Sequence, residues 1–158
     1  MRRPTCLARA SFDRAAAGSP SAPARRGRLL GGCLETICWH VKGSDAWIDP
    51  EGTILLLETS EEAPSPAHVD AYLTDLEHLG AFDSAAGLLF SRPYGYSEDQ
   101  TKVLWDVVAN RTASAGLPVL ANFEAGHTDP KVTLPFGVEA EVDAARKTFR
   151  LLEPSTTP

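Results

Sequence analysis

Glu58 and His127 place an acid and a base where an α/β protein usually carries its chemistry. Glu58 directly follows the apolar run 53–57, and His127 lies in a polar loop after the apolar run 118–121. Because the carboxyl ends of parallel strands share one edge of a sheet, we expect the two side chains to face each other there. A carboxylate that accepts a hydrogen bond from one imidazole nitrogen fixes the tautomer and leaves the other nitrogen as a general base. The pair therefore predicts the acid–histidine half of a serine–histidine–acid triad. Taken singly, Glu58 also fits a strand-terminal acid facing water, and His127 fits a loop histidine without a role.

The nucleophile of such a triad is harder to find. The chain has no Gly-x-Ser-x-Gly elbow. Ser60 and Ser91 lie in the neighbouring loops, where capping and turn formation are the alternative roles. Cys33 opens a predicted helix, where the pKa of a thiol can fall, although a small buried residue is the alternative there. In the same group of loops, Arg92 and Tyr94 are candidate substrate contacts or ordinary surface residues.

The sequence predicts no metal and no organic cofactor. Glu124 and His127 have the spacing of helical di-metal carboxylate sites, but Gly126 and Pro130 break any helix at this point. Phosphate-binding loops and dinucleotide fingerprints are absent from the sequence.

The elements that would position these residues alternate along the chain. Short apolar runs bounded by turn residues predict strands, and apolar residues at helical spacing predict helices. The predicted strands are 28–30, 53–57, 86–90, 118–122, 132–135, 138–142 and 148–152, and the predicted helices are 33–41, 66–79 and 98–115. Strands alternating with helices and followed by short strands predict an α/β fold with a mostly parallel sheet and an antiparallel β appendage.

Composition divides the chain into a basic start and an acidic body. Residues 1–28 contain seven arginines and one aspartate, whereas the remainder contains eight basic and twenty acidic residues. Residues 1–26, rich in Arg, Ala and Pro, are predicted to be disordered, 27–153 to form one domain and 154–158 to be a tail. The acidic body is not expected to bind nucleic acid. No apolar run approaches the ~20 residues of a membrane helix. Three cysteines without metal spacing favour a reducing, cytoplasmic compartment.

Five motifs in this order resemble the carboxyl-terminal half of the LD-carboxypeptidase family. They are residues 30–35 (Leu-Gly-Gly-Cys-Leu-Glu), 42–44 (Lys-Gly-Ser), 54–62 (Ile-Leu-Leu-Leu-Glu-Thr-Ser-Glu-Glu), 126–130 (Gly-His-Thr-Asp-Pro) and 134–137 (Leu-Pro-Phe-Gly). The Glu-Thr-Ser-Glu-Glu and Gly-His-Thr-Asp-Pro forms are most similar to the family's microcin C self-immunity branch. The resemblance extends over about residues 27–153.

The resemblance implies a two-domain serine peptidase without a metal or organic cofactor. In the family, an amino-terminal α/β domain carries the nucleophilic serine and the oxyanion hole. A carboxyl-terminal domain of swivelling β/β/α type supplies a glutamate and a histidine, at positions that match Glu58 and His127. The implied substrates are the L,D-peptide bond of murein tetrapeptides or the amide of an acyl-aminoacyl adenylate antibiotic. The family also implies a homodimer.

The resemblance leaves two expectations for the chain itself. The first is a fragment that lacks the nucleophile domain, is inactive alone and carries a site that another domain completes. The alternative is an orphan domain without catalytic activity that acts as a binding or dimerisation module.

Overall fold

Six strands form the framework of the part of the molecule that the structure describes. The structure is a computed structural model that describes residues 23–154 and residue 156. The strands are β1 (Arg25–Cys33), β2 (Ile54–Glu58), β3 (Gly87–Ser91), β4 (Val119–Phe123), β5 (Glu139–Asp143) and β6 (Thr148–Leu151). They form one sheet in the order β4-β3-β2-β1-β5-β6. Strands β1 to β4 are mutually parallel, whereas β5 and β6 add antiparallel pairs to the β1 side. The predicted α/β class with a mostly parallel sheet and a β appendage is therefore confirmed.

The helices connect the parallel strands. They are α1 (Leu34–Thr36), which continues as a π-helical turn (Ile37–Val41), α2 (Pro66–His78), α3 (Ala81–Ser84) and α4 (Glu98–Thr112). The start of α2 is fixed by Ser65, whose hydroxyl accepts from the backbone N–H of His68, and by Pro66 in the first turn. Ser97 and Gln100 form a capping box at the start of α4. In the described part of the chain, no helix has both the length and the apolar character needed to cross a membrane.

The sheet separates two hydrophobic cores. On one side the helices pack on alternate strand residues such as Leu57 and Phe90, and on the other side Leu56 and Leu89 belong to a second core. The second core includes Phe149 of β6, whose ring lies 5.4 Å from that of Phe123 in β4 in an edge-to-face contact. Since β4 and β6 are the two outermost strands, this contact means that the sheet is curled.

The structure corrects three local predictions. β1 begins at Arg25, three residues before the predicted strand 28–30, because its first residues pair with β5. Residues 1–22 lie outside the described residues, as do 155, 157 and 158 of the predicted tail. Within the described range, residues 132–135 form no strand. They belong to a loop whose Val132 and Leu134 pack on the second core. The four-residue helix α3 was not predicted, because a single turn is too short to show helical periodicity.

Candidate functional site

The carboxyl ends of β2 and β4 bring Glu58 and His127 together. Glu58 is the last residue of β2, and His127 lies in the loop 124–138 that follows β4. Strand β3 separates β2 from β4, so this loop has to cross the end of β3 to reach Glu58. The Nδ1 atom of His127 lies 3.1 Å from Oε2 of Glu58, which is hydrogen-bonding distance. The Glu58 side chain is 15% exposed and that of His127 is 36% exposed, so the imidazole is the part of the pair that solvent reaches.

Gly126 makes room for this contact. Its backbone has a φ of +82°, and a Cβ built on it would lie 1.7 Å from Oε2 of Glu58. No side chain fits at that distance, so any other residue at position 126 would push the Glu58 carboxylate aside. A glycine directly before His127 is therefore required for two reasons. It leaves space for the Glu58 carboxylate, and it readily adopts the positive φ of this position.

Arg92 anchors the loop that contains His127 by hydrogen bonds to three of its residues. Its Nε donates to Oγ1 of Thr128 at 3.3 Å, and its Nη2 donates to the backbone carbonyls of Asp129 and Pro130. Its Nη1 also lies 3.7 Å from Oε1 of Glu124. The hydrogen bonds of Nε and Nη2 therefore assign Arg92 to holding the loop, while Nη1 has an ion-pair contact with Glu124. Tyr94, the other candidate, is exposed.

Glu124 is therefore directed towards Arg92, although its sequence spacing to His127 resembles a metal motif. Among the described residues, no group of three or more His, Cys, Asp or Glu side chains is arranged to hold a metal ion. The contacts around His127 are hydrogen bonds and ion pairs with carboxylates.

A second carboxylate contacts the other ring nitrogen of His127. Oε2 of Glu61 lies 3.0 Å from Nε2 of His127, so both ring nitrogens contact a carboxylate. The Nδ1 contact is a hydrogen bond, whereas the Nε2 contact is an ion pair that requires a protonated ring. Glu61 is 64% exposed and lies in a turn after β2, so it is much less enclosed than Glu58. The Nε2 atom, on which a triad mechanism depends, is thus covered by a side chain that solvent surrounds.

Glu35 is a buried acid of the site that the sequence did not single out. It is 4% exposed, and its Oε1 accepts from the backbone N–H of Ser60 at 3.0 Å and from the Ser60 hydroxyl at 2.6 Å. Its Oε2 accepts from the thiol of Cys33 at 3.3 Å. Burial raises the pKa of Glu35, but the hydrogen bonds from Ser60, its own backbone and Cys33 outweigh burial and hold this pKa below its usual value. The carboxylate is therefore the form that the site stabilises. The available signal was an acid beside Leu34 on the inward face of a predicted helix.

The three candidate nucleophiles are placed unfavourably for attack. The Ser60 hydroxyl donates to Glu35 and accepts from the backbone N–H of Glu62. Ser91 is the last residue of β3, instead of a loop residue as expected, and it is fully buried. Burial raises the pKa of the Cys33 thiol, and the neighbouring Glu35 raises it further, so the structure favours the small buried residue over an activated thiol.

Comparison with known proteins identifies the family of the chain. The family model described as the LD-carboxypeptidase C-terminal domain matches residues 26–142. SCO6489 of Streptomyces coelicolor, which carries a carboxypeptidase designation, is 34% identical over 87% of this chain and 44% of its own length. The Escherichia coli protein named "Microcin C7 self-immunity protein MccF" is 30% identical over 80% of this chain and 37% of its own length.

Solved structures agree with this assignment. The MccF-like protein from Streptococcus pneumoniae, solved in complex with AMP, matches with a TM-score of 0.71 and 31% identity over 87% of this chain and 43% of its own. MccF in complex with glutamyl sulfamoyl guanosine matches with a TM-score of 0.69 and 26% identity over 87% of this chain and 41% of its own. The chain spans less than half the length of these relatives. It belongs to the LD-carboxypeptidase family, of which it represents the carboxyl-terminal domain.

Proposed function

We propose that this chain supplies the glutamate and the histidine of a serine-type amide hydrolase, with the nucleophilic serine contributed by a second domain. The observation that carries the proposal is the hydrogen-bonded pair of Glu58 and His127 at the carboxyl edge of the sheet. The pair has the geometry of the acid–base half of a triad, and the family of the chain is one of carboxypeptidases by name.

In this proposal His127 is the general base. Glu58 accepts from Nδ1–H, which orients the ring and stabilises the positive charge that it acquires. Nε2 takes the proton from the serine hydroxyl as the hydroxyl attacks the amide carbonyl, and later returns it to the leaving amine. Glu61 has to move away from Nε2 before the serine can approach, and its exposed position in a turn allows such a movement.

Two substrate classes follow from the names of the relatives. A Bacillus subtilis relative that is 31% identical is named "Probable murein peptide carboxypeptidase", and MccF has been solved in complex with aspartyl sulfamoyl adenosine. We propose an amide of one of these classes as the substrate: a murein peptide, or an aminoacyl group joined to a nucleotide-like leaving group.

The test restores the second domain. The full chain is mixed with, and separately fused behind, the amino-terminal part of SCO6489, on which the family resemblance places the serine. Hydrolysis of an L,D-tetrapeptide and of an aminoacyl sulfamoyl adenosine is then measured by chromatography. We expect turnover of at least one substrate, and a loss of about 10³-fold or more in His127→Ala and Glu58→Gln. His68→Ala, which changes an exposed histidine of α2, is the matched control and should retain activity.

Two results would contradict the proposal. One is a folded fusion that turns over neither substrate, with both parts giving the circular dichroism of folded domains. The other is turnover that persists in His127→Ala, because the base would then be elsewhere.

A binding or dimerisation module is the second candidate, and two observations favour it. Glu61 closes Nε2 of His127, and Trp39, which is 62% exposed, adds an uncovered aromatic surface. In that case the fusion would be inactive, and sedimentation of the full chain would show a dimer whose stability depends on Trp39. A monomer that acquires activity on fusion would exclude the module.

A further inference from the structure

Glu35 is enclosed, and two of its three hydrogen bonds from other residues come from one neighbour, Ser60. A buried carboxylate is costly unless hydrogen bonds satisfy it, and Glu35 receives two of its bonds from the backbone and the hydroxyl of Ser60. It belongs to α1, which follows β1, whereas Ser60 belongs to the loop that follows β2. The bonds therefore tie together two separate connections at the carboxyl edge of the sheet.

Ser60 also forms hydrogen bonds within the turn that contains Glu61. Its hydroxyl accepts from the N–H of Glu62 at 3.2 Å, and its carbonyl accepts from the N–H of Ala63 at 3.2 Å. The second bond closes a turn from Ser60 to Ala63, in which Glu61 is the residue after Ser60. Glu58 precedes Ser60 by two residues. Ser60, which Glu35 restrains, therefore lies in the chain between the two residues whose carboxylates contact His127.

We propose that Glu35 is a positioning residue, which acts through Ser60 to hold the Glu61 carboxylate on Nε2 of His127. The importance of this role for catalysis rests on the proposed function, but the placement itself does not. Glu58 is held independently, because it lies within β2 and next to Gly126. The turn of Glu61 has no such strand around it, so loss of the Glu35 restraint should release Glu61 and leave Glu58 in place.

The reactivity of His127 towards diethyl pyrocarbonate reports this placement directly. The reagent acylates an unblocked imidazole nitrogen, and mass spectrometry of peptides gives the rate at each histidine of the full chain at constant pH. His40, His68 and His78 are exposed and serve as internal references. We expect Glu61→Ala to raise the rate at His127 by about fivefold, which corresponds to the loss of an exposed ion pair of about 1 kcal/mol.

Glu35→Ala should raise the rate at His127 to about the level of Glu61→Ala, with the three reference histidines unchanged. Glu35→Gln retains an amide oxygen that can accept from Ser60, so it should lie between Glu35→Ala and the unaltered chain. Asp143→Asn is the matched control. It changes another buried carboxylate, which accepts from the N–H of Arg146 near the end of β5, and it should leave His127 unaffected.

Ser60→Ala removes only the hydroxyl and is the second variant if Glu35→Ala does not fold. The proposal is overturned if the folded Glu35 and Ser60 variants react at His127 as the unaltered chain does. It is also overturned if all four histidines become faster together, since that result indicates general loosening. The measurement needs neither turnover nor a second domain, so its failure is distinguishable from failure of the proposed function.

Discussion

Replacing Gly126 by alanine should separate Glu58 from His127. The new Cβ would lie 1.7 Å from Oε2 and 2.7 Å from Cδ of Glu58, so the carboxylate has to turn away from Nδ1. Two costs add: about 1–2 kcal/mol for an alanine at positive φ, and about 1.5–3 kcal/mol for a lost hydrogen bond to a charged group. We expect the free energy of unfolding in urea to fall by about 3–4 kcal/mol, taking mid-range values of both costs.

The same substitution at Gly137 measures the backbone cost alone. Its φ of +83° matches the +82° of Gly126, but a Cβ on Gly137 would meet nothing within 4 Å. Gly137→Ala should therefore lose only the backbone cost, about 1–2 kcal/mol. The two variants, measured in the same urea titrations, differ by the contact of Glu58 with His127. Equal losses in the two variants would refute the idea that Gly126 is required for that contact.

Three other contacts make predictions of their own. Arg92→Lys cannot reproduce the bonds to Thr128 and two carbonyls, so amide hydrogen exchange in residues 124–130 should become faster, and unchanged exchange would contradict this role. Burial raises the pKa of Glu35, but hydrogen bonds outweigh burial and hold this pKa below its ordinary value. The stability that the carboxylate contributes is therefore complete above the ordinary carboxyl pKa and is lost as the pH falls through the lower pKa of the folded state. Glu35→Gln should therefore show a shallower loss of unfolding free energy between about pH 5 and pH 3, and an unaltered slope would contradict this assignment. The raised pKa of Cys33 should make its alkylation by iodoacetamide slower than that of free cysteine, and Glu35→Gln should accelerate it.

The sequence predicted the parallel part of the fold because its strands are buried on both faces. Runs such as 54–57 and 87–90 are apolar without interruption, which is the pattern of a strand between two cores. The start of β1 was missed for the opposite reason. Arg25 and Arg26 pair through their backbones with Val142 and Glu141, and backbone pairing leaves no mark on composition.

Residues 132–135 were predicted to form a strand, but they belong to a loop. Their alternation of apolar and polar residues is that of a strand, but the Val132 N–H donates to the carbonyl of Glu124 within the same loop. Leu29 of β1 accepts from Gly137 and donates to Val138, so pairing with β1 begins only there. The apolar residues of the loop cover the second core instead.

The approach of Glu58 to His127 was predictable because each follows an apolar strand of a parallel sheet. The contact between Glu61 and His127 could not be predicted, because it depends on the conformation of the turn after β2. That turn is fixed by Ser60, whose partner Glu35 lies 25 positions earlier in the chain. Side-chain contacts between loops of this kind have no periodic pattern, so only the folded geometry reveals them.

The two carboxylates around His127 differ in how exposed they are, and in the proposed mechanism this difference leaves Nε2 as the nitrogen that can be uncovered. Breaking a buried ion pair by removing one partner costs about 3–5 kcal/mol, whereas an exposed pair contributes about 0–1 kcal/mol. Glu58 is 15% exposed and Glu61 is 64% exposed, so Glu61 is the partner that gives way at small cost. A docking domain would therefore have to supply about 1 kcal/mol or less to uncover Nε2, while Nδ1 stays on Glu58. The same nitrogen is the one that the proposed mechanism requires.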